Sequence, residues 1–207
     1  ISHQYLNFSK HQGCHMEQNT LADQILDTAL DIAESDSWEN MHLYSVAQQL
    51  DISLELISQY FPQKDDLVEA WFDRADRAVL SIPPSPEFLN RSVRERLHQV
   101  IMTWLEALSP HRRVTKQMLA YKFEFGHIHL QTLGIMRISR TVQWFREAAR
   151  IDTTDLRRIL EETGTTTIYL MTFAKWINDD STGSQKTRNF LEQALIKAEN
   201  YRTNLGF

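Results

Sequence analysis

Long apolar runs are missing from this chain. No stretch of its 207 residues approaches the ~20 consecutive apolar side chains that a helix needs to cross a bilayer. Cysteine is almost missing too: Cys14 stands alone, so no internal disulfide framework can form. Residues 1–15, ISHQYLNFSKHQGCH, hold no continuous apolar segment of the kind a secretory signal needs. With neither an export signal nor disulfides, a reducing cytoplasm is the expected compartment. There is no glycine-rich phosphate loop, no Ser/His/Asp arrangement and no carboxylate pair isolated on an apolar face, so nothing argues for an enzyme. Alternation of apolar and polar residues never lasts long enough to make a strand, which leaves an all-α fold.

One absence is local. No Lys or Arg occurs between Lys10 and Lys64, while Glu17, Asp23, Asp27, Asp31, Glu34, Asp36, Glu39, Asp51 and Glu55 fall within that span. The whole chain has a formal charge of −5, so only a local basic patch could give it a nucleic-acid footprint.

The hydrophobic content is 42%, enough for a substantial core, and it is arranged in helical periods. Residues 1–16 have no clear period and are expected to be a disordered extension or a cloning remnant, with Met16 as a natural start. Asn19 or Thr20 can cap a first helix that runs to about Ser35, with Leu21, Ile25, Leu26, Ala29, Leu30 and Ala33 on its apolar face. Trp38 is expected to pack under the N-terminal helices.

Residues 42–67 read HLYSVAQQLDISLELISQYFPQKDDL. Leu43, Val46, Ala47 and Leu50 share one helical face, and Leu54, Ile57 and Tyr60-Phe61 share another, with a break at Asp51-Ile52-Ser53. That is the shape of a helix-turn-helix, whose second helix can lie in a DNA major groove. Pro62 ends that helix. A fourth runs from about Lys64 to Leu80, with Leu67, Ala70, Trp71, Ala75 and Ala78 inward. Ile82-Pro83-Pro84-Ser85-Pro86 is the strongest break in the chain, so a head over 17–81 and a body over 82–207 are expected. Body helices are expected near 90–108, 111–125, 128–150, 153–178 and 185–204, giving about nine helices in all.

The head resembles the DNA-binding domain of TetR-family transcriptional regulators. The residues that carry the resemblance are Ile25-Leu26, Ala29-Leu30, Trp38, Val46-Ala47, Leu50-Asp51-Ile52-Ser53, Tyr60-Phe61-Pro62 and Lys64-Asp65-Asp66-Leu67. The resemblance implies a homodimeric regulator, a repressor released from operator DNA by a small apolar or aromatic ligand. It implies DNA contacts from Ser45, Ser53, Leu54, Glu55, Ser58, Gln59, Tyr60 and Lys64, with Tyr60 and Lys64 on phosphates. The chain departs from the family pattern at Leu54 or Glu55, where a small residue is usual, and at Ser58 and Gln59, where a Tyr and a basic residue are common.

Large apolar side chains cluster in the body, and a bundle lined in this way can enclose a ligand. Trp104, Met118, Tyr121, Phe125, Met136, Trp144, Tyr169 and Phe173 are the candidate lining residues, although ordinary core accounts for the same pattern. The last two helices are the expected dimer surface, through Thr165–Thr167, Leu170, Phe173 and Ala174 and the stripe Phe190, Leu191, Ala194, Leu195 and Ala198. His127 and His129 point to different sides of a helix, so no metal site and no cofactor are expected. Arg112-Arg113 reads as a solvated face or helix-end charge.

A second resemblance leaves an alternative open. Tyr169-Leu170, Trp176, Asp179-Asp180-Ser181, Lys186-Thr187, Phe190-Leu191 and Leu195 are similar to the end of TetR-like accessory proteins of ubiquinone biosynthesis. Those bind lipids and do not bind DNA, so this resemblance implies a lipid- or isoprenoid-binding protein on the same fold.

Overall fold

The computed structural model describes residues 21–122, 128–151 and 155–204. The expected extension at 1–16, Phe125, His127 and the side chain of His129 lie outside the described residues. All regular structure among the described residues is helical. The chain divides into two compact units between Trp71 and Phe72.

The first unit is built on α1 (residues 21–35), whose Ile25, Leu26, Ala29, Leu30 and Ala33 are all buried at the spacing of one helical face. Trp38 and Met41 from the following loop are fully buried as well. Two helices come next, α2 (Leu43–Leu50) and α3 (Leu54–Tyr60). The turn between them depends on Asp51, which adopts the left-handed conformation (φ 54°) and closes α2 through its N–H to Ala47 and Gln48. Aspartate tolerates that conformation better than most side chains do. Ser53 then caps α3 by accepting from the Leu56 N–H at 3.1 Å. Val46, Ala47 and Ile57 are the buried residues of the pair, and Phe61 is buried just beyond it.

The division between units runs through α4 (Lys64–Leu80), ahead of the proline stretch at 82–86. Leu67, Val68 and Trp71 are buried in its first half, and Phe72, Ala75, Asp76 and Val79 in its second. Ala70 and Ala78, expected inward, are half-buried.

The second unit adds the single turn α5 (Pro86–Leu89) and the long helices α6 (Val93–Leu108), α7 (Arg112–Lys122), α8 (Ile128–Ala148), α9 (Asp155–Trp176) and α10 (Gln185–Asn204). Ser92 and Glu95 start α6 with a reciprocal capping box. Arg150, in the left-handed conformation, and the Ile151 N–H bonded to Arg146 O finish α8. Helix α6 lies at the centre, against α8, α9 and α10, and it buries Leu97, Val100, Ile101, Met102, Trp104, Leu105 and Leu108.

Candidate nucleic-acid interface and body core

The outward face of the head comes from α2 and α3. Tyr44 is 58% exposed and stacks on His42 with ring centroids 5.1 Å apart. Leu54 is 50% exposed, and Glu55, Ser58 and Gln59 are exposed beside it. Residues four apart on a helix share a face, so 54 pairs with 58 and 55 with 59. Ser45 and Tyr60 are half-buried.

Several of the expected DNA contacts are already engaged within the head. Ser58 donates its hydroxyl to Glu55 O at 2.7 Å, and Ser53 uses its oxygen as the cap of α3 and keeps its hydroxyl hydrogen. The largest departure is at Lys64. Its ammonium donates to the carbonyls of Trp38, Glu39 (3.1 Å) and Met41 (2.7 Å) and lies 5.0 Å from the Trp38 ring centroid. An ammonium has three N–H donors, and all three are used. Burial lowers the Lys64 pKa, more than the charges of Asp65 and Glu39 raise it. Lys64 therefore ties the loop after α1 to the start of α4 and, in this conformation, has no donor left for a phosphate.

In the body, Asp76 sits within an apolar cluster. The residue is 4% exposed, its carboxylate accepts from Trp104 Nε1 (2.8 Å) and Thr141 Oγ1 (3.1 Å), and it pairs with Arg137 at 2.8 Å. Arg137 also pairs with Asp73, which in turn takes Arg140 at 2.7 Å. Burial raises the Asp76 pKa despite Arg137 and the hydrogen bonds from Trp104 and Thr141.

Aromatic rings pack around this group. Trp104 stacks on Phe72 at 5.8 Å and meets Tyr169 and Phe173 edge-on at 5.3 and 5.5 Å, while Phe145 meets Tyr169 at 5.2 Å. Burial, reinforced by the Asp76 charge, pushes the Tyr169 hydroxyl far above its usual range.

The protein is 47% identical to the TetR transcriptional regulator from Nitrosomonas europaea, and it matches that solved structure with a TM-score of 0.78 over 87% of this chain and 98% of the other. The chain belongs to the TetR family of transcriptional regulators. A TetR transcriptional regulator from Rhodococcus sp. RHA1 matches at 18% identity and a TM-score of 0.62, over the same 87% and 98%, and shows the fold alone. The chain matches no protein-family model and no curated protein. Family membership makes it a regulator of transcription and not an enzyme.

For a TetR-family body, the expected ligand-lining residues separate into groups. Trp104, Met118 and Tyr169 are buried, and Phe173 and Tyr121 are half-buried. Met136 (66% exposed) and Trp144 (37% exposed) lie on the outer side of α8, because that helix turns Thr141, Val142 and Phe145 inward. The sequence reading missed Asp76, Arg137 and Thr141. For Asp76 the signal was present in α4, where it falls among Phe72, Ala75 and Val79 on one helical face.

Three of the tail residues that carry the second resemblance, Asp179, Ser181 and Thr187, form a cap. Asp179 accepts from the N–H and hydroxyl of Ser181 (2.9 and 2.5 Å) and of Thr187 (2.8 and 2.5 Å), which fastens the start of α10. Arg112, expected on a solvated face or at a helix end, donates to Asp179 O just beyond α9 and to Ser184 Oγ at 2.7 Å, and it stacks 4.5 Å from the Trp176 ring centroid. Leu191 and Leu195 of the expected dimer stripe are buried within the chain.

Proposed function

We propose that this TetR-family regulator is a repressor that binds operator DNA as a homodimer and is released by a small apolar or aromatic ligand. The similarity to the Nitrosomonas europaea regulator carries the reading, and it extends across both head and body. The exposed Tyr44, Leu54, Glu55, Ser58 and Gln59 suit a helix-turn-helix that presents α3 to a major groove. Dimerisation uses α9 and α10. On α9, Thr163, Gly164, Thr167, Leu170, Met171 and Ala174 are exposed at helical spacing, so a second copy can approach closely.

The ligand takes its place by separating the packed rings of Trp104, Phe145, Tyr169 and Phe173 beside the Asp76–Arg137 pair. It acts only through its different affinity for the DNA-binding and released states. Because the 11–63 span has no Lys or Arg, phosphate neutralisation is weak and base contacts carry a larger share of affinity.

Selection of bound duplexes from a random pool at low salt tests this reading. The expected product is a palindrome whose half-sites are centred about one helical turn, ~34–36 Å, apart. A pool with no enriched sequence overturns it.

A further inference from the structure

We propose that Glu55 is the residue that selects operator sequence, accepting a hydrogen bond from the exocyclic amine of a cytosine, and that Leu54 packs on the methyl group of a thymine in the neighbouring base pair. The inference rests on the DNA-binding reading above and specifies which bases it recognises.

Elimination narrows the choice. Ser58 spends its hydroxyl hydrogen on Glu55 O, the Ser53 oxygen is fixed at the first turn of α3 as its cap and keeps only a hydroxyl hydrogen to donate, Ser45 is half-buried and Lys64 is turned into the head. Leu54, Glu55 and Gln59 remain as exposed side chains of α3. Among the described residues no ion pair or hydrogen bond holds the Glu55 carboxylate.

Chemistry then assigns the base. An ionised carboxylate only accepts hydrogen bonds, so in the major groove it needs a donor. Guanine presents two acceptors there and thymine an acceptor and a methyl group, so both repel it or leave it unpaired. Adenine has a donor, but N7 beside it is an acceptor. Cytosine offers its N4 amine with no adjacent acceptor on the same base. Leu54 precedes Glu55 on the exposed side of α3, and an apolar side chain in the groove has the thymine methyl as its natural contact.

Electrostatics sharpens the discrimination. With no Lys or Arg in residues 11–63, neither α2 nor α3 carries a cation to neutralise Glu55 when it faces phosphates. On unrelated DNA it is an unpaired, partly desolvated anion, which weakens binding. On a site with the right cytosine that penalty is offset. The carboxylate thus lowers background binding more than it raises operator affinity.

The test repeats the random-pool selection with the full chain as wild type, Glu55→Gln and Leu54→Ala. Both side chains are exposed, and melting curves matching the wild type confirm folding. Wild type is expected to enrich one cytosine per half-site with a neighbouring thymine. In Glu55→Gln, preference for that cytosine falls about tenfold or more, in favour of adenine, while other positions keep theirs. The same variant binds unrelated DNA more tightly. Leu54→Ala lowers the thymine preference a few-fold.

If Glu55→Gln enriches the same cytosine as the wild type, the assignment is overturned although DNA binding stands. An unchanged thymine preference in Leu54→Ala removes Leu54 from the pair. A wild-type pool with no enriched sequence overturns the DNA-binding reading, and this inference falls with it.

Discussion

Trp104 donates its indole N–H to Oδ1 of Asp76 at 2.8 Å, with both side chains buried in the body. The bond links the second half of α4 to the central helix α6. Thr141 and Arg137 of α8 converge on the same carboxylate, so one acid joins three helices. A buried acceptor with several donors is sensitive to the loss of its oxygens and much less sensitive to the loss of its charge. Burial has already raised its pKa, which marks the ionised form as the costly one.

Asp76→Asn and Asp76→Ala should therefore behave differently. Asparagine keeps an acceptor for Trp104 and Thr141 but turns an N–H2 toward Arg137, which keeps Asp73, so its cost should be about 1–2 kcal/mol, below that of alanine. Alanine strands the Trp104 N–H and one arm of Arg137, at a cost of about 3 kcal/mol. A folded pKa above the unfolded one means that the native state holds the proton more tightly. The contribution of Asp76 is thus fully present below the unfolded value and lost as pH rises through the folded one. Urea unfolding across that range should show the wild type losing its advantage over Asp76→Asn as pH rises. Equal costs for the two variants at neutral pH would contradict this account.

The contrast between α3 and α4 shows what the sequence made legible. The apolar spacing in α1 and the Asp51 break revealed the head directly, because burial follows periodicity; in α3 the same spacing misplaced Leu54, which is exposed while Ile57 is buried. The body helices were legible for the same reason. Lys64 was not. Its sequence position marks the start of α4, but a long side chain can carry its ammonium back over the protein, and only the fold places the carbonyls of Trp38, Glu39 and Met41 within reach. Met136 and Trp144 looked like lining residues by composition alone. The phase of α8 turns them outward, because Val142 and Phe145 are its inward residues.

Lys64→Gln tests that placement. The loop after α1 loses a charged donor to three carbonyls, and stability of the folded chain should drop by about 2 kcal/mol, read from thermal or urea unfolding. The slope of log affinity for DNA against log salt should stay unchanged, since the ammonium neutralises no phosphate. A slope shallower by about 0.9 would show that Lys64 swings out to a phosphate in the complex.

The Asp179 cap gives the opposite pH dependence from Asp76. Burial alone would push its carboxyl up, but hydrogen bonds from Ser181 and Thr187 outweigh that and hold it well below the usual carboxylate range. A depressed folded pKa contributes stability that is present above the unfolded value and lost as pH falls through the folded one. Asp179→Asn should cost about 2 kcal/mol at neutral pH and progressively less in acid, as the wild-type carboxyl becomes protonated. Chemical unfolding at several pH values between neutral and strongly acidic reads this directly, and a cost independent of pH would show that the hydrogen bonds do not depend on the charge.

The exposed stripe on α9 offers the cleanest separation of assembly from folding. Leu170 (39% exposed) and Met171 (55% exposed) lie beside Thr167 and Ala174, and none of the four needs a partner for the chain itself to fold. If a second copy covers them, Leu170→Glu with Met171→Glu places four carboxylates, two from each copy, in an apolar contact. Burying each without a partner costs at least ~2 kcal/mol, enough together to weaken a dimer by about a millionfold. Sedimentation velocity at micromolar concentration should show a monomer, with helical content and melting close to those of the wild type. Operator binding should fall sharply, because one head covers only one half-site. A double variant that stays dimeric moves the interface off this stripe, and one that becomes monomeric yet binds the full operator as tightly as wild type removes dimerisation from the binding mechanism.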